Sequence, residues 1–385
     1  MRSITVIWLL ASLLLCAAIH EAQVTRRVPS QYKTIQAAIS AASGGDTVLV
    51  APGIYRENVT AVNKRIILVS SAGASDTIID GSGFGTVVSV SRNSTVDGFT
   101  IQNGLAPTGW MPGSNQKPTS AGGGILTIGA AVIRNNIIRN NRAGSVSAHR
   151  AYGGGVAAIP FPFQGSGPAV IVNNVITGNQ AHAGTGSAFG GGIDCSHPTV
   201  LINNTIFANT ASGTGSVGGG IHGQVPGVAA ANCIVWGNTA SSSAQVGGNV
   251  VLTTCYLAAP SCMDAARGDF HLRWNSPCRD RGSRVAGLPA TDFEGDPRVS
   301  GTAPDIGADE FHRHIYATGK TAPGGLVHVK IIGAPGQVTL WAYSLHPTLL
   351  NPPVQIPGLG PFFLNVPYSI LQSGKTSKLA GAMVP

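Results

Sequence analysis

Acidic residues are almost missing from the middle of this chain: between Asp97 and Asp264 the one carboxylate side chain is Asp194. That scarcity argues against the usual sugar hydrolase, which sets two carboxylates across the bond it cuts. No CxxC spacing occurs, so a thiolate metal site has little support. Basic residues form no run and do not interleave with aromatics, so nucleic acid is not an expected partner. No apolar stripe with a period of about 3.6 residues runs through the central repeats, which excludes an array of helices. The longest apolar stretch lies within residues 1–22, behind Arg2, and is too short and too terminal for a membrane span. It has the pattern of a secretory signal peptide. Cys16 inside it follows the bulky Leu15 and is a poor lipid-anchor position.

What is abundant is glycine, 52 residues of it, together with asparagine in repeating phrases. Gly122-Gly123-Gly124, Gly153-Gly154-Gly155, Gly190-Gly191-Gly192 and Gly218-Gly219-Gly220 are each followed by a β-branched residue: Ile125, Val156, Ile193 and Ile221. After each comes Asn-(Asn/Cys)-x-(Ile/Val)-x-x-Asn, beginning at Asn135, Asn173, Asn203 and Asn232. A lone short strand cannot bury its apolar side, so such units are expected to stack as coils about 4.8 Å apart over residues 48–257. Glycine suits the sharp corners. Asn136, Asn174 and Asn204 are expected to form one column, and Asn141, Asn179 and Asn209 a second, each amide satisfying its copies above and below. This structural use of Gly and Asn outweighs a catalytic one.

Residues 31–43 place Ile35, Ala38, Ile39 and Ala42 on one helical face, ended by Gly44-Gly45, which predicts a short helix capping the open first coil. Strand patterns follow at 47–51, 65–70, 77–79, 87–90 and 99–102. Tyr32-Lys33-Thr34-Ile35-Gln36-Ala37-Ala38-Ile39, then Gly45-Asp46-Thr47-Val48-Leu49-Val50 and Pro52-Gly53-Ile54-Tyr55-Arg56-Glu57, resemble the start of right-handed parallel β-helix proteins of the pectin lyase-like superfamily. Asp97-Gly98-Phe99-Thr100-Ile101-Gln102-Asn103-Gly104 resembles their recurrent coil, and the likeness spans residues 28–257. The Asp-rich motifs of polygalacturonases are absent from these coils. Asp269-Phe270-His271-Leu272, Ser276-Pro277-Cys278, Asp292-Phe293-Glu294-Gly295-Asp296-Pro297-Arg298 and Asp305-Ile306-Gly307-Ala308-Asp309-Glu310-Phe311 resemble the tail of choice-of-anchor Q proteins, exported bacterial β-helix proteins. That resemblance implies secretion or surface display and no fixed reaction. Alternating segments at 326–332 and 337–343, with 362–366 as a third, suggest a small β-sandwich-like module. The expected architecture is thus all-β: a signal peptide at 1–22, a right-handed parallel β-helix solenoid with N-terminal capping helix at 23–311, and a small C-terminal β module at 312–385.

Chemistry is sparse. Equal offsets from the glycine runs put Leu126, Ala157, Asp194 and His222 in one outward column, so that Asp194 and His222 become neighbours on an exposed face and candidate catalytic groups. Arg150, Tyr152, His182 and Phe189 are carried toward the same side as candidate substrate-binding residues. A lyase needs no more than a base and a cation to take the proton beside a uronate carboxylate. The ordinary alternative is a solvated Asp-His pair with aromatics covering a sheet. The tail carboxylates Asp292, Glu294, Asp296, Asp305, Asp309 and Glu310 offer oxygens to Ca²⁺. Arg279, Arg281, Arg284 and Arg298 nearby favour ion pairs and turns instead, and no cofactor is expected. Cys195 and Cys233 are expected as buried thiols, with one disulfide among Cys255, Cys262 and Cys278. The net charge of +8 favours an acidic polysaccharide over a neutral one. The first functional reading is a secreted or surface-displayed protein that binds polysaccharide or another extracellular partner. The alternatives are a polysaccharide lyase acting on uronate chains and a structural or adhesive surface protein.

Overall fold

The computed structural model describes residues 23–91, 93–109, 119–160 and 167–311, and the backbone of six further strands between residues 315 and 373. The expected signal peptide at 1–22 lies outside the described residues. One circuit of the chain shows the principle. After Gly122-Gly123-Gly124 the backbone runs as Ile125–Ile128, turns at Gly129 (φ 76°), continues as Ala131–Arg134, bends at Asn135 (φ 55°) and continues as Ile137–Arg139. Glycine and asparagine occupy these bends because they tolerate the left-handed region. The next circuit lies on this one in register, all three strands pairing in parallel.

The core follows from that register. Ile125, Val156, Ile193 and Ile221 form one interior column. Val96, Ile133, Ile171 and Leu201 form a second, and Ile138, Ile176, Ile206 and Val235 a third. All of these side chains are buried. Complete burial of each aliphatic side chain is worth about 1.5–3 kcal/mol, and the column arrangement repeats that gain at every level. The molecule is therefore an all-β parallel β-helix, three strands wide. Two of its faces merge near the end of the stack, where Ile221–Ala231 runs as one 11-residue strand and Val246–Thr253 pairs along it.

The helix spans Ile35–Ala41, shorter than the apolar pattern at its C-terminal end, where Ala42 is already extended. Thr34 Oγ1 accepts from Ala37 N at 3.1 Å, and the Glu57 carboxylate accepts from Ile35 N and Gln36 N, both at 3.0 Å. Lys64 Nζ donates to the carbonyls of Ile39, Ser40 and Ala42 at the other end. These groups answer the orphan donors and acceptors that every helix leaves at its termini. Ile35, Ala38 and Ile39 join the same core as Val48, Val50 and Val59. No helix among the described residues is long and apolar enough to cross a membrane.

Residues 262–311 form a compact tail opened by an antiparallel hairpin, Cys262–Asp264 with Asp269–Leu272. Beyond it, Ile315–Gly319, Leu326–Ile331, Thr339–Tyr343 and Ser369–Ser373 make an antiparallel sheet, and Val354–Ile356 pairs with Gly360–Phe362. The expected strands near 326–332 and 337–343 correspond to two of these, and most of the expected third, at 362–366, lies outside the described residues.

Candidate functional site

A feature absent from the sequence reading builds the site. From residue 105 on, the chain leaves the body after the second bend of a circuit as a short strand and returns as another, so that successive circuits raise a thin lobe. Arg142–Ala143, Gln180–His182 and Thr210–Ser212 form its outgoing sheet with Leu105–Ala106; Thr119–Ala121, Arg150–Tyr152 and Ser187–Phe189 form its returning sheet. Between them lie Ala151, Ala181, Ala183, Ala188 and Ala211, small enough to let the two layers close. The glycine runs are the neck where outgoing and returning chain cross. A Cβ on Gly154 would lie 2.3 Å from the Gln180 carbonyl carbon, and one on Gly191 would lie 2.4 Å from that of Thr210. No other residue fits so close to backbone.

Against this neck stand the asparagines. Asn136 Nδ2 donates to Asn174 Oδ1 at 3.1 Å, and Asn174 Nδ2 to Asn204 Oδ1 at 3.0 Å. Asn141 Nδ2 donates to Asn179 Oδ1 at 3.0 Å, Asn179 Nδ2 to Asn209 Oδ1 at 2.9 Å, and Asn209 Nδ2 to Asn238 Oδ1 at 3.0 Å. Each Oδ1 also takes the backbone N–H of the asparagine in the preceding circuit.

Asp194 and His222 are paired across adjacent strands. His222 Nδ1 lies 2.9 Å from Asp194 Oδ1, and the Ser196 hydroxyl donates to Asp194 Oδ2 at 2.7 Å. The exposed face expected for them is not what forms: Asp194 is fully buried and His222 is only 8% exposed. The cause is the lobe. Register fixes which way a side chain leaves the body sheet, but the returning lobe sheet leans over that face and sets the Phe189 ring 4.8 Å from the His222 ring. Tyr152 stacks on Phe189 at 5.4 Å, and Arg150 Nη1 donates to the Tyr152 hydroxyl at 3.2 Å. Burial pushes the Asp194 carboxyl up, against the lowering pull of His222 and Ser196.

His182 is placed elsewhere, on the outgoing lobe sheet, with Nδ1 2.9 Å from Ser212 Oγ. Burial and the neighbouring Arg142 hold it below the ordinary imidazole range. Among the described residues no hydrogen bond or ring contact joins it to Asp194 or His222. What the structure gathers is therefore Arg150, Tyr152, Phe189, His222, Asp194 and Ser196, the last a residue that sequence reasoning missed. Its position two residues after Asp194 was the available signal. In this arrangement Asp194 holds His222 through Nδ1, the contact that orients an imidazole and leaves Nε2 as its second nitrogen.

The tail packs on the third body face through the first asparagine of the last three phrases. Asn173 Nδ2 donates to Thr291 O at 2.7 Å, Asn203 Nδ2 to Asp305 O at 2.9 Å and Gly307 O at 3.0 Å, and Asn232 Nδ2 to Ser283 O at 2.8 Å. Arg298, 1% exposed, donates to Asn173 Oδ1 and Ala308 O, both at 2.7 Å, with Glu310 at 3.9 Å. Several tail carboxylates are engaged by backbone donors: Asp292 Oδ1 by the N–H groups of Glu294, Gly295 and Asp296, Asp305 Oδ2 by Phe311, and Glu310 by Ser300 and Asp305. These bonds organise turns.

All five described cysteines are unpaired, contrary to the expected disulfide among Cys255, Cys262 and Cys278. Cys255 continues the first asparagine column and meets Cys233 in the circuit before it, while Cys262 and Cys278 pack in the tail core. In comparison with known proteins, no family model matches the chain, and no curated protein matches it.

Proposed function

We propose that the chain is a secreted or surface-displayed, right-handed β-helix protein of pectin lyase-like architecture, with its first coil covered by the helix and with a choice-of-anchor Q type tail. Its role is to bind polysaccharide, acidic by preference, in the angle between lobe and body. The observation that carries this reading is the row Arg150, Tyr152, Phe189 and His222, which crosses successive circuits in ring steps of 5.4 and 4.8 Å. A linear polymer of repeating units is matched by side chains repeated at the coil spacing. The exposed guanidinium at one end suits a carboxylate, and the net charge of +8 favours the same partner. Affinity electrophoresis or calorimetry with uronate and neutral polysaccharides tests it. Binding to a uronate polymer that weakens roughly tenfold in Arg150→Ala or Tyr152→Ala, about 1.4 kcal/mol, is the expected result. Unchanged binding in both variants, or none to any polysaccharide, overturns it and leaves the structural or adhesive role.

A lyase is the second reading, favoured by the Asp194–His222 pair. The proton beside the uronate carboxylate would pass to His222 Nε2, the glycosidic C–O bond would break on the β side with its oxygen taking a proton from water, and a carbon–carbon double bond would form. Ultraviolet absorbance of unsaturated uronate decides it. Product formation abolished by His222→Ala supports the reading, and the absence of product from every uronate polymer removes it.

A further inference from the structure

We propose that His271, Glu294 and Asp309 form a binding site for one divalent transition-metal ion of the zinc type. The three residues come from separate segments of the tail: the strand Asp269–Leu272, the turn following Asp292, and the chain just before Phe311. One ligand atom from each lies within 4.8 Å of the other two. Imidazole nitrogen and carboxylate oxygen are both zinc ligands, and three protein ligands leave a further position open. Calcium, which takes six to eight oxygens, is a poor match for it.

An independent observation points to a ligand. Asp309 is 3% exposed, and although its Oδ2 accepts from Leu272 N at 2.7 Å, its Oδ1 is buried with no hydrogen-bond partner. A carboxylate oxygen in that condition is costly unless something meets it. The surroundings supply the orienting contact that metal-bound histidines usually have. His271 Nδ1 lies 2.6 Å from Asp269 Oδ1, which fixes the ring, and Nε2 lies 2.8 Å from Glu294 Oε2. That last separation needs to open to only about 3.3 Å for both atoms to bind a common ion at tetrahedral distances. Glu294 is the most exposed of the three, with about a third of its side chain open, and gives the ion a way in. The site is separate from the angle between lobe and body, so its fate is independent of the polysaccharide reading.

The test uses the full chain, stripped with chelator and titrated with Zn²⁺ by calorimetry and with Co²⁺ by visible absorption. One equivalent is expected to bind, with the d–d bands of nitrogen and oxygen coordination and no thiolate-to-cobalt charge transfer. Asp309→Asn preserves shape and is expected to weaken binding at least tenfold, as is Glu294→Gln, and His271→Ala to abolish it. Asp269→Asn, which alters only the positioning contact, is expected to weaken binding about 10- to 100-fold with the cobalt spectrum retained. Zinc is expected to raise the melting temperature of the native chain and not that of Asp309→Asn. No binding by the native chain, undiminished binding by Asp309→Asn, or a thiolate spectrum showing that the cysteines hold the ion would each overturn the proposal.

Discussion

Left-handed backbone at the bend before the second asparagine column is met by different residues in successive circuits: Asn140 (φ 55°), Gly178 (φ 64°), Ala208 (φ 54°) and Gly237 (φ 65°). Alanine is the misfit, since its Cβ crowds the following carbonyl in this region. Ala208→Gly is therefore expected to stabilise the protein by about 0.5–1 kcal/mol, the relief exceeding the added freedom of the unfolded chain, as a thermal or denaturant midpoint will record. Asp46 is a second residue whose surroundings make a measurable statement. Burial would raise its pKa, but donation from Val24 N, Ser43 N and the Arg26 guanidinium outweighs this and holds the carboxyl below its ordinary range. A depressed folded-state value contributes stability that is present above the unfolded value, near 4, and lost as pH falls through the folded one. Amide protection in 24–50, measured against the intrinsic exchange rate at each pH, is expected to fall on acidification below about pH 4, and Asp46→Asn to flatten that dependence. Among the candidate site residues, counting from the glycine runs was enough to pair Asp194 with His222. Their burial was not legible, because it depends on a lobe whose short Ala-centred strands carry no strong pattern of their own.

Strands and bends were the most readable elements, since Ile125, Val156, Ile193 and Ile221 each follow a glycine run and each begin a strand. The reason for three glycines together was not. One is required by backbone crossing at the neck, and only the position of the lobe reveals it. Gly154→Ala is expected to cost about 3 kcal/mol or more, because the added carbon meets backbone rather than a yielding side chain. Solubility and unfolding midpoint are the readouts. The asparagine bends carry a comparable penalty for a different reason. Asn174→Leu removes the acceptor of Asn136 N and Nδ2 and the donor to Ile133 O, so more than one buried polar group loses its partner. A loss of about 2–4 kcal/mol is expected in chemical denaturation. The first asparagine of the phrase repeats where glycine would serve the backbone equally well, and in Asn173, Asn203 and Asn232 its side chain has a task, which is holding the tail.

At the scale of the whole molecule the tail and the stack are joined through Arg298, whose buried guanidinium bonds Asn173 on one side and the carbonyls of Gly307 and Ala308 on the other. Arg298→Ala strands buried acceptors and carboxylates, and is expected to destabilise the protein by about 3–5 kcal/mol and to open residues 290–311 to protease before the stack is cut. Arg298→Lys is expected to rescue little, because a point ammonium cannot span the same acceptors. Tail contacts such as these were not legible in the sequence, because Arg298 and Asp305 meet partners more than a hundred positions away, beyond the reach of any local pattern. The pairing of each circuit with only its immediate neighbours has a further consequence, for evolution by duplication. A gene segment copied from one glycine run to the next would insert a level that bonds to both sides as the original did, lengthening the molecule by about 4.8 Å without disturbing its cross-section. Such growth is free only ahead of Asn173. From there on the tail is keyed to particular levels, and the copy number becomes fixed.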